Sequence, residues 1–507
     1  MWLVAGLVAL GLLLGMGLGP LERGAMAAPS LSLSPSSGTP GGAATVKGAG
    51  FPWETKGRLV WPDGKVLREF RTTRRGRVSV NLVIPNAPPG AYIVTARAGG
   101  ESARATFTVT ETDESGLTYF LDSANGNDAG SGTSAAQAWK TLDKANQAPL
   151  APGDRLLLKR GGRWLGSLKV ARSGTSERRI VIGSYGTGPL PIIEKGSSCV
   201  VLSGSHLVLR DIHADDCSWA GVQIQGMTDL VENSLITHNA VGIHVPVGAG
   251  DNRILNNELR DNNRMSVLTR SPIDDDSGAF GVLLQGNGTE VASNTISGSD
   301  AFSYDYGRDG AAIEVCGGKN NHIHHNLAVD NDAFTELGNS RSSDNTYAYN
   351  VVRSSLTSST FLVTRGAESG YGPVLRTRLF NNTVRLTGSD SQGFVCHAGC
   401  GPDILTMRNN IIQAVWKVGY ADAPFDEDYN LFDGGELQAT KGDHSLVTAP
   451  LFVDPARNNV HLRASSPAID RGIDIGYPRD FDGATVPTHG SSDRPVAPDM
   501  GAFEYQP

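Results

Sequence analysis

The sequence has no excess of positive charge. Its 507 residues include 44 lysines and arginines against 52 aspartates and glutamates, which gives a formal net charge of −8. A protein that binds nucleic acid needs a basic face for the phosphates, so this balance argues against a nucleic-acid partner. It also disfavours a strongly anionic polymer as substrate, unless a local basic groove overrides the total charge.

Long apolar runs are missing except at the N-terminus, where WLVAGLVALGLLLGMGLG is followed by Ala25-Met26-Ala27. An apolar run before a small-x-small pattern predicts a secretory signal peptide over residues 1–27, although no Lys or Arg precedes the run. A retained membrane anchor is the alternative, because about 17 apolar residues almost span a bilayer. Both interpretations predict a secreted or cell-surface protein.

Cysteine is scarce, with five residues in the chain. Export permits disulfides. Cys396 and Cys400 are close enough in sequence to pair, Cys199 and Cys217 can bridge neighbouring turns of chain, and Cys316 is then left over. A zinc site at Cys396-His397-Cys400 is the competing interpretation, but its spacing is not that of a standard ligand pair.

Glycine is abundant, with 62 residues, and Asn, Asp, Ser and Thr fill the spaces between short apolar runs. This composition favours many short strands with tight turns over helical bundles. A chain of this length also exceeds one ordinary core unless the fold is elongated or repetitive. We therefore predict an all-β chain.

Residues 28–110 read as a separate unit of short alternating strands broken by Gly and Pro, which predicts a small β-sandwich. The stretches PSSGTPGG, GAGF and PPGAYIVTA resemble the immunoglobulin-like TIG class of bacterial surface domains. That resemblance implies a spacing or attachment role. The polar stretch ETDESG, residues 111–116, is predicted to be a linker.

From residue 117 onward both ends of the chain resemble one family. TYFLDSANGNDAGSGTSAAQAWKTLDKANQ predicts a strand, a polar loop and a short helix around Trp139 to Asn146. This opening, and the ending PLFVDPARNNVHLRASSPAIDRG with APDMGAFEY, are similar to those of secreted right-handed parallel β-helix proteins. The resemblance implies such a solenoid over residues 117–507, with a helix that caps one end and a C-terminal closing segment.

A repeat runs through the same region. Asn followed by an apolar pair recurs every 20 to 37 residues, at NSLI from 233, NELR from 257, NTIS from 294, NLAV from 326, NVVR from 350, NTVR from 382, NIIQ from 410 and NLFD from 430. A coil of about 20 to 24 residues that cannot bury its own apolar positions must stack on its neighbours. A leucine-rich-repeat horseshoe is the alternative solenoid, but its consensus is absent.

Insertions into this repeat predict a groove. Residues 264–279 and 302–310 lengthen the turn before one strand series on successive coils, and residues 368–375 follow the same series on its far side. Loops on both sides of one sheet form a groove, and loops on a rigid scaffold often carry function.

Aligning the coils places acidic side chains in that groove. Gln223, His244, Leu283, Glu314 and Glu336 fall in one column, and their neighbours along each strand point into the core because side chains alternate. Glu314 and Glu336 should therefore be outward neighbours, about 4.8 Å apart at the backbone.

Two aspartates are expected beside this pair, since Asp309 and Asp332 begin the same two strands from the turn. Clustered carboxylates repel, so one should have a raised pKa, which supplies the acid and the base that glycosidic bond cleavage needs. We predict Glu314, Glu336, Asp309 and Asp332 as catalytic residues. The predicted substrate-binding residues are His244, Tyr304, Tyr306, Arg365 and Tyr371.

Other interpretations of these residues remain open. The carboxylates can be a solvated acidic face or a calcium site. The run Asp274-Asp275-Asp276 reads as an exposed loop, with calcium as the weaker option. His322, His324 and His325 should alternate in and out of the next strand, as stacking residues rather than metal ligands.

The family resemblance implies an enzyme that acts on polysaccharides, as a lyase, hydrolase or epimerase. Lyases of this architecture pair a lysine with an arginine, but no lysine stands in the outward column, and Lys319 falls beyond the strand end. The NTD, GHG and RIK motifs of polygalacturonases are also absent. A calcium-dependent lyase and a non-catalytic glycan-binding surface protein are the alternatives to a hydrolase.

We therefore predict an exported glycoside hydrolase that cleaves a polysaccharide or oligosaccharide. We expect it to be a monomer that requires no cofactor, with calcium as the alternative, and that has no nucleic-acid partner and no lipid substrate.

Overall fold

The computed structural model describes residues 28–62, 64–85, 87–88, 90–109, 116–270, 274–490 and 494–507. The predicted signal peptide and most of the predicted linker lie outside these ranges. The regular secondary structure of the described residues is almost entirely β-strand, as predicted, and their helices are Ala135–Gln137, Leu142–Ala145 and Pro455–Arg457. None of these helices is long and apolar enough to cross a membrane.

Two mainly antiparallel sheets form the N-terminal part. One contains Ser30–Ser34, Ala43–Ala49 and Val78–Val83; the other contains Ser37–Gly38, Glu101–Val109, Gly90–Ala98, Lys56–Val60 and Val66–Arg71. Alternating side chains from both sheets, such as Val46 and Val94, meet in one buried cluster. This is the predicted N-terminal sandwich. Its likeness to immunoglobulin-like domains and its predicted limits stay predictions.

The rest of the chain winds into stacked coils that supply two large parallel sheets. The twelve-stranded sheet takes one strand from each coil: Thr118–Leu121, Arg155–Lys159, Ile180–Tyr185, Leu207–Arg210, Leu230–Glu232, Arg253–Leu255, Glu290–Ala292, His322–His324, Thr346–Ala348, Thr377–Phe380, Leu405–Arg408 and Asp426–Glu427.

The nineteen-stranded sheet takes two strands from most coils. Its strands are Arg163–Val170, Ile192–Leu202, His213–Asp215, Ala220–Ile224, Leu235–Thr237, Val241–Val245, Glu258–Arg260, Phe280–Leu284, Thr295–Ser297, Ala311–Cys316, Leu327–Val329, Ala333–Gly338, Val351–Ser354, Thr360–Arg365, Thr383–Leu386, Gln392–His397, Ile411–Ala421, Leu431–Gln438 and Leu446–Val447. Three short antiparallel hairpins lie outside the coils: Met265–Val267 with Ser277–Gly278, Ala301–Ser303 with Gly307–Asp309, and Phe452–Asp454 with Asn459–Leu462.

Apolar side chains stack in columns inside the coils. Ile254 lies in register with Val291, and Val291 with Ile323, and all three are fully buried. One coil could not bury such residues alone, so the stack supplies the core. The N-terminal end of this core is covered by Trp139, Leu142 and Ala145.

The capping helix is shorter than predicted. It begins after Thr141, whose hydroxyl accepts a hydrogen bond from the backbone N–H of Lys144, and it spans only Leu142–Ala145. Trp139 precedes the helix and stacks on Tyr119 with ring centroids 5.0 Å apart. Trp139, which suggested a longer helix, therefore packs into the core from the extended segment before the helix.

A ladder of asparagines follows the predicted repeat at one turn of each coil. Each buried side-chain oxygen accepts from the backbone N–H of its counterpart one coil earlier, and the ladder runs through Asn257, Asn294, Asn326, Asn350, Asn382, Asn410 and Asn430. The repeat predicted that Asn233 is equivalent to these asparagines. This prediction was wrong, because Asn233 lies outside the ladder and has a φ of 50°. Ser234 takes the ladder position there and donates its N–H to Asn257.

The sandwich contacts the side of the coils that carries the twelve-stranded sheet, and the C-terminal segment contacts the strand series of the nineteen-stranded sheet that contains Val351, Thr383 and Ile411. Arg179 of the coils donates to the carbonyl oxygen of Gly41, and Lys65 lies 3.7 Å from Glu290. The C-terminal segment packs along the coils, where the N–H of Ala502 donates to Thr383. These contacts leave the other strand series of the nineteen-stranded sheet, which contains Glu314 and Glu336, accessible near the inserted loops.

Candidate active site

Glu314 and Glu336 are direct neighbours on adjacent strands of the nineteen-stranded sheet. They lie in register, and Val315 beside Glu314 is also in register with Leu337 beside Glu336. Val315 and Leu337 are fully buried in the core, whereas both glutamates are half-buried on the outer face. The predicted pairing of the two glutamates is therefore present.

The column of outward residues continues in both directions from this pair. Gln223, His244 and Leu283 precede Glu314 in register, as predicted, and Val363, Val395 and Tyr420 follow Glu336. We call these eight residues the outward column. Two carboxylates at its centre are flanked by apolar, amide and aromatic side chains.

Arg365 belongs to a second outward row, two residues further along each strand. That row contains Cys316, Gly338, Arg365 and His397. Arg365 forms an ion pair with Glu336, and its Nη1 donates to the carbonyl oxygen of Leu337 at 2.9 Å. Arg365 was predicted to bind substrate, and its contacts within the protein are to the catalytic candidate itself.

The two glutamates have different surroundings although they are neighbours. Burial and the adjacent charge of Glu336 hold the pKa of Glu314 well above its usual range, against the opposing charge of Arg365. Glu336 meets Arg365 directly. The arrangement therefore places a carboxyl group with a raised pKa beside a carboxyl group that is ion-paired to an arginine, and acid/base chemistry needs two groups whose surroundings differ in this way.

Asp309 and Asp332 lie at the same place, as predicted. Burial, together with the charges of Glu336 and Asp332, raises the pKa of Asp309 to about 7. Burial and the charge of Asp300 raise the pKa of Asp332 to about 7, although Arg308 opposes the shift. Four carboxyl groups therefore act on one another at the floor of the groove.

The inserted loops form one wall of this groove. The hairpin strands Met265–Val267 and Ser277–Gly278 are joined to the second hairpin, Ala301–Ser303 with Gly307–Asp309, by Asp276. The carboxylate of Asp276 accepts from the hydroxyl of Ser303 at 2.8 Å and from the N–H of Tyr304 at 2.6 Å. Asp305 in turn accepts from the N–H groups of Asp275 and Asp276, both at 2.9 Å. Buried carboxylates thus fix the loops that carry the predicted aromatic residues.

Exposed aromatic rings stand on both sides of the floor. Tyr304 packs edge-on against Phe302, and Arg270 lies 5.0 Å from the centre of the Tyr304 ring. Tyr306 lies near enough to Tyr371, which the opposite loop carries, for each phenol to affect the other. Tyr371 also lies 5.8 Å from Arg365. The groove therefore has aromatic walls and an acidic floor.

His244 differs from the other predicted binding residues because it is buried. Its Nδ1 accepts from the indole N–H of Trp219 at 3.3 Å, so its Nε2 carries the proton and donates to Gln285 at 3.0 Å. Burial lowers the pKa of His244, against the hydrogen bond to Gln285. The ring is held neutral in one orientation, and its role in binding substrate stays a prediction.

The described residues offer one cluster of carboxylates compact enough for a cation. Oxygen atoms of Asp275, Asp276 and Asp305 lie within 4.8 Å of one another. Backbone N–H groups already occupy oxygens of Asp276 and Asp305, so the loop is stabilised without an ion. The calcium alternative stays a prediction. At the proposed zinc position, Cys396 and Cys400 form a disulfide, as do Cys199 and Cys217.

Some neighbours of the glutamates were missed from the sequence. Cys316 and His397 extend outward in the row of Arg365, and burial together with the charge of Glu314 raises the pKa of the Cys316 thiol. The same count of two residues beyond the outward column would have found both. Trp219, which covers His244, lies in a turn that no strand alignment reaches.

Comparison with known proteins identifies the architecture of these coils. The family described as "Right handed beta helix region" matches residues 198–372. Lacto-N-biosidase of Bifidobacterium longum subsp. longum is 34% identical over 129 residues, which is 23% of this chain and 7% of that protein. The chain therefore matches only a small part of this relative's length.

The solved structure of a pectate lyase has a similar architecture. Pectate lyase Pel9A is similar with a TM-score of 0.51 at 17% identity, over 78% of this chain and 98% of that one. The GH136 lacto-N-biosidase of Eubacterium ramulus has a TM-score of 0.44 at 15% identity, over 66% of this chain and 67% of that one. The matched region, the likeness to Pel9A and the stacked parallel sheets show that this chain carries an N-terminal sandwich followed by a right-handed parallel β-helix.

Proposed function

We propose that the protein is a glycoside hydrolase in which Glu314 is the general acid and Glu336 is the nucleophile or base. The observation that carries this proposal is the unequal pair: a carboxyl group with a raised pKa beside a carboxylate that is ion-paired to Arg365. Glycosidic cleavage requires one carboxylic acid to protonate the leaving oxygen and one carboxylate on the other side of the reacting carbon.

Asp309 and Asp332 support the acid in this mechanism. Their charges, when present, oppose ionisation of the neighbouring glutamates, and both aspartates are half-buried beside them. Asp309 is the second candidate for the acid because its pKa is also raised. The aromatic walls at Tyr304, Tyr306 and Tyr371 would stack on sugar rings.

An uncharged sugar chain fits this groove better than a polyuronate. Four carboxyl groups face the substrate, and the guanidinium of Arg365 is already engaged by Glu336. A uronate would have to displace that pairing and enter an acidic field, which costs free energy. Similarity to lacto-N-biosidase, a glycosidase, supports a hydrolase, and similarity to pectate lyase supports only the fold.

We also propose where the protein acts and that it needs neither a partner subunit nor a metal. The predicted signal peptide and the two disulfides support export to an oxidising compartment. We infer that a monomer acts without a metal, because the reacting groups are carboxyl groups that suffice for hydrolysis.

The test is hydrolysis of cello-, xylo- and chito-oligosaccharides, each from disaccharide to hexasaccharide, with pectate and alginate as anionic polymers. Reducing ends and absorbance near the ultraviolet band of an unsaturated uronate should be recorded together. We expect new reducing ends without that absorbance. Absorbance on pectate or alginate would instead make the protein a lyase centred on Arg365 and Tyr371.

The variants Glu314→Gln and Glu336→Gln keep side-chain size and should each lower kcat by about a hundredfold or more. Glu258→Gln is the matched control, because Glu258 is an exposed glutamate on another strand series and should leave kcat unchanged. Full turnover in either groove variant, with the fold intact by circular dichroism, would contradict the assignment.

A further inference from the structure

The outer face of the coils differs on the two sides of the glutamates. On the N-terminal side, Leu283 and His244 are only 5% and 6% exposed although both point outward. Trp219 covers His244, and Leu283 packs with Phe280 and Ala311 in a separate apolar cluster. On the C-terminal side, Val363, Val395 and Tyr420 are half-buried. The groove is therefore closed towards the first coils and open towards the last.

The open side runs over short turns. The turns before Thr360 and Gln392 are residues 355–359 and 387–391, SLTSS and TGSDS, with no inserted hairpin. Opposite them, the Cys396–Cys400 disulfide and the carboxylate of Asp422, which accepts from the N–H of Cys400 at 2.8 Å, fix the other edge. A sugar chain that extends from the glutamates in this direction would lie between short turns on one edge and the disulfide-fixed segment on the other.

Aromatic side chains stand at the far end of that path. Tyr420 is in register with Val395, which is in register with Val363 and then Glu336. Trp416 and Val415, which lie in the same strand at its register shift, are 50% and 51% exposed. The ammonium of Lys417 lies 4.5 Å from the Trp416 ring centre and 5.6 Å from that of Tyr420, so it holds the two rings together.

The distance from the glutamates suits an extended sugar chain. Three coil spacings separate Glu336 from Tyr420, which is about 14 Å. One sugar unit of an extended chain spans about one such spacing, so the chain would reach the rings about three units beyond the scissile bond. An aromatic ring offers an apolar face for the C–H groups of a pyranose, and Lys417 offers a donor for a hydroxyl.

We propose that Trp416 and Tyr420 form a distal glycan-binding subsite, and that the outer face between Glu336 and Tyr420 holds the substrate chain leading to it. This inference rests on the proposed function, because it makes the rings part of one extended binding groove. The ligand is an uncharged oligosaccharide of at least about four units, since shorter chains held at the glutamates would not span three coils.

The experiment measures binding by calorimetry, with the full chain carrying Glu314→Gln so that the ligand is not consumed. The probes are the cello-, xylo- and chito-oligosaccharide ladders from disaccharide to hexasaccharide. We expect affinity to rise with length in one ladder. Adding Trp416→Ala or Tyr420→Ala should weaken hexasaccharide binding about tenfold and leave disaccharide binding unchanged.

Trp53→Ala is the matched control, because Trp53 is an exposed tryptophan on the N-terminal sandwich, away from the groove. It should leave binding of every ladder unchanged. Hexasaccharide binding that survives both Trp416→Ala and Tyr420→Ala, or the absence of binding by all three ladders, would overturn the distal subsite.

Failure of the subsite and failure of the proposed function give different results. In one outcome, a ladder is hydrolysed in a reaction that needs Glu314, while Trp416→Ala leaves the dependence of binding on chain length unchanged. That result removes the subsite and keeps the hydrolase. Length-dependent binding that needs Trp416, in a chain that cleaves none of the ladders, keeps the subsite and turns the protein into a glycan-binding one.

Discussion

A single stretch of chain carries two titratable clusters on opposite faces of the β-helix. Glu314 lies on the groove side, and the next strand, His322–His324, lies in the twelve-stranded sheet. Around Glu314 the carboxyl groups repel one another and face an open groove. Around His322 the groups are paired and covered, since its Nε2 is 2.7 Å from the hydroxyl of Tyr477 in the C-terminal segment.

Each histidine of this cluster has a hydrogen-bond partner within the protein. His324 and His325 share a hydrogen bond of 2.9 Å between their Nδ1 atoms, and His324 Nε2 lies 3.2 Å from Glu290. His322 stacks on His324 with ring centroids 4.2 Å apart. The stacking was predicted, but the alternation was wrong, because Ile323 alone points into the core and all three rings lie outside.

Burial favours the neutral form in both clusters, but with opposite effects on the pKa. It raises the pKa of Asp309 and Asp332 to about 7 and, with neighbouring histidines, lowers that of His322 to about 3 and that of His324 to about 4. The difference lies in the partners. Partners of the histidines are supplied by the fold, whereas the groove carboxyl groups crowd one another and the fold pairs Glu336 with Arg365.

The largest expected effect comes from Glu290 on the histidine side. Although burial opposes it, the hydrogen bond to His324 and the charge of Arg253 hold the pKa of Glu290 well below its usual range. Glu290→Gln leaves Arg253 buried without its counter-charge and should lower the free energy of unfolding by about 3 kcal/mol. Chemical denaturation measures this.

The same variant sharpens the comparison of the two faces. Glu290→Gln should keep hydrolytic activity, whereas Glu314→Gln should lose activity and keep stability. Equal loss of activity in both variants would mean that the clusters are coupled through the coil, against the separation described above.

The next effect is acid sensitivity. In the unfolded chain histidine has a pKa near 6.5, whereas the folded values are about 3 to 4. The unfolded state therefore binds more protons between these values, so the free energy of unfolding falls as the pH falls from about 6.5 to 4. His322→Phe removes one such group. Between pH 7 and pH 4.5, the free energy of unfolding of this variant should fall by about 1 to 2 kcal/mol less than that of the unmodified protein.

Thermal unfolding at the two pH values measures this difference. His461→Phe is a control on an exposed histidine that pairs with Asp482 at the surface. A pH slope in His322→Phe equal to that of the unmodified protein would show that the buried histidines do not govern acid unfolding.

A rise in pH should lower the stability of the protein through the groove carboxyl groups, which is opposite to its effect through the histidines. Asp332 has a folded pKa of about 7 against 3.8 in the unfolded chain, so the folded state binds more protons between these values and stability falls as the pH rises from about 4 to 7. Asp332→Asn cannot ionise and should raise the free energy of unfolding at pH 8 by about 1 kcal/mol, after allowance for solvent screening. At pH 4 the variant should show no gain, and a gain of equal size there would indicate a packing effect.

The smallest expected effect is that of a chelator. Because backbone N–H groups already occupy oxygens of Asp276 and Asp305, we expect EDTA to leave the Tm unchanged. Differential scanning fluorimetry with and without added calcium measures this. A rise in Tm with calcium that Asp305→Asn removes would establish a calcium site in the loops.

Much of the fold and the floor of the groove follow from local periodicity. The alternation of side chains fixed which residues face outward, and the repeat length aligned Glu314 with Glu336, because both depend only on neighbouring residues. The column could not be extended to Tyr420 in the same way. A register shift between Ala414 and Lys417 interrupts the pattern, and the strand Ile411–Ala421 joins two strand series that are separate in earlier coils.

Long-range pairings in the site were beyond the sequence. Arg365 was correctly placed beside the glutamates, but its ion pair with Glu336 and its hydrogen bond to the carbonyl oxygen of Leu337 reach across to the neighbouring coil. His244 was expected to be accessible, and Trp219 covers it from a turn whose path no repeat specifies. Such contacts depend on three-dimensional proximity between irregular segments, which periodicity does not encode.

Cys316 gives the groove a ready-made reporter position. It is the one cysteine of the chain outside a disulfide, and it stands in the outer row next to Glu314. A maleimide dye would therefore attach at a single place, without engineering of the sequence. The rate of that labelling, slowed by any sugar lying across the floor, would report occupancy by compounds that the protein binds but does not transform.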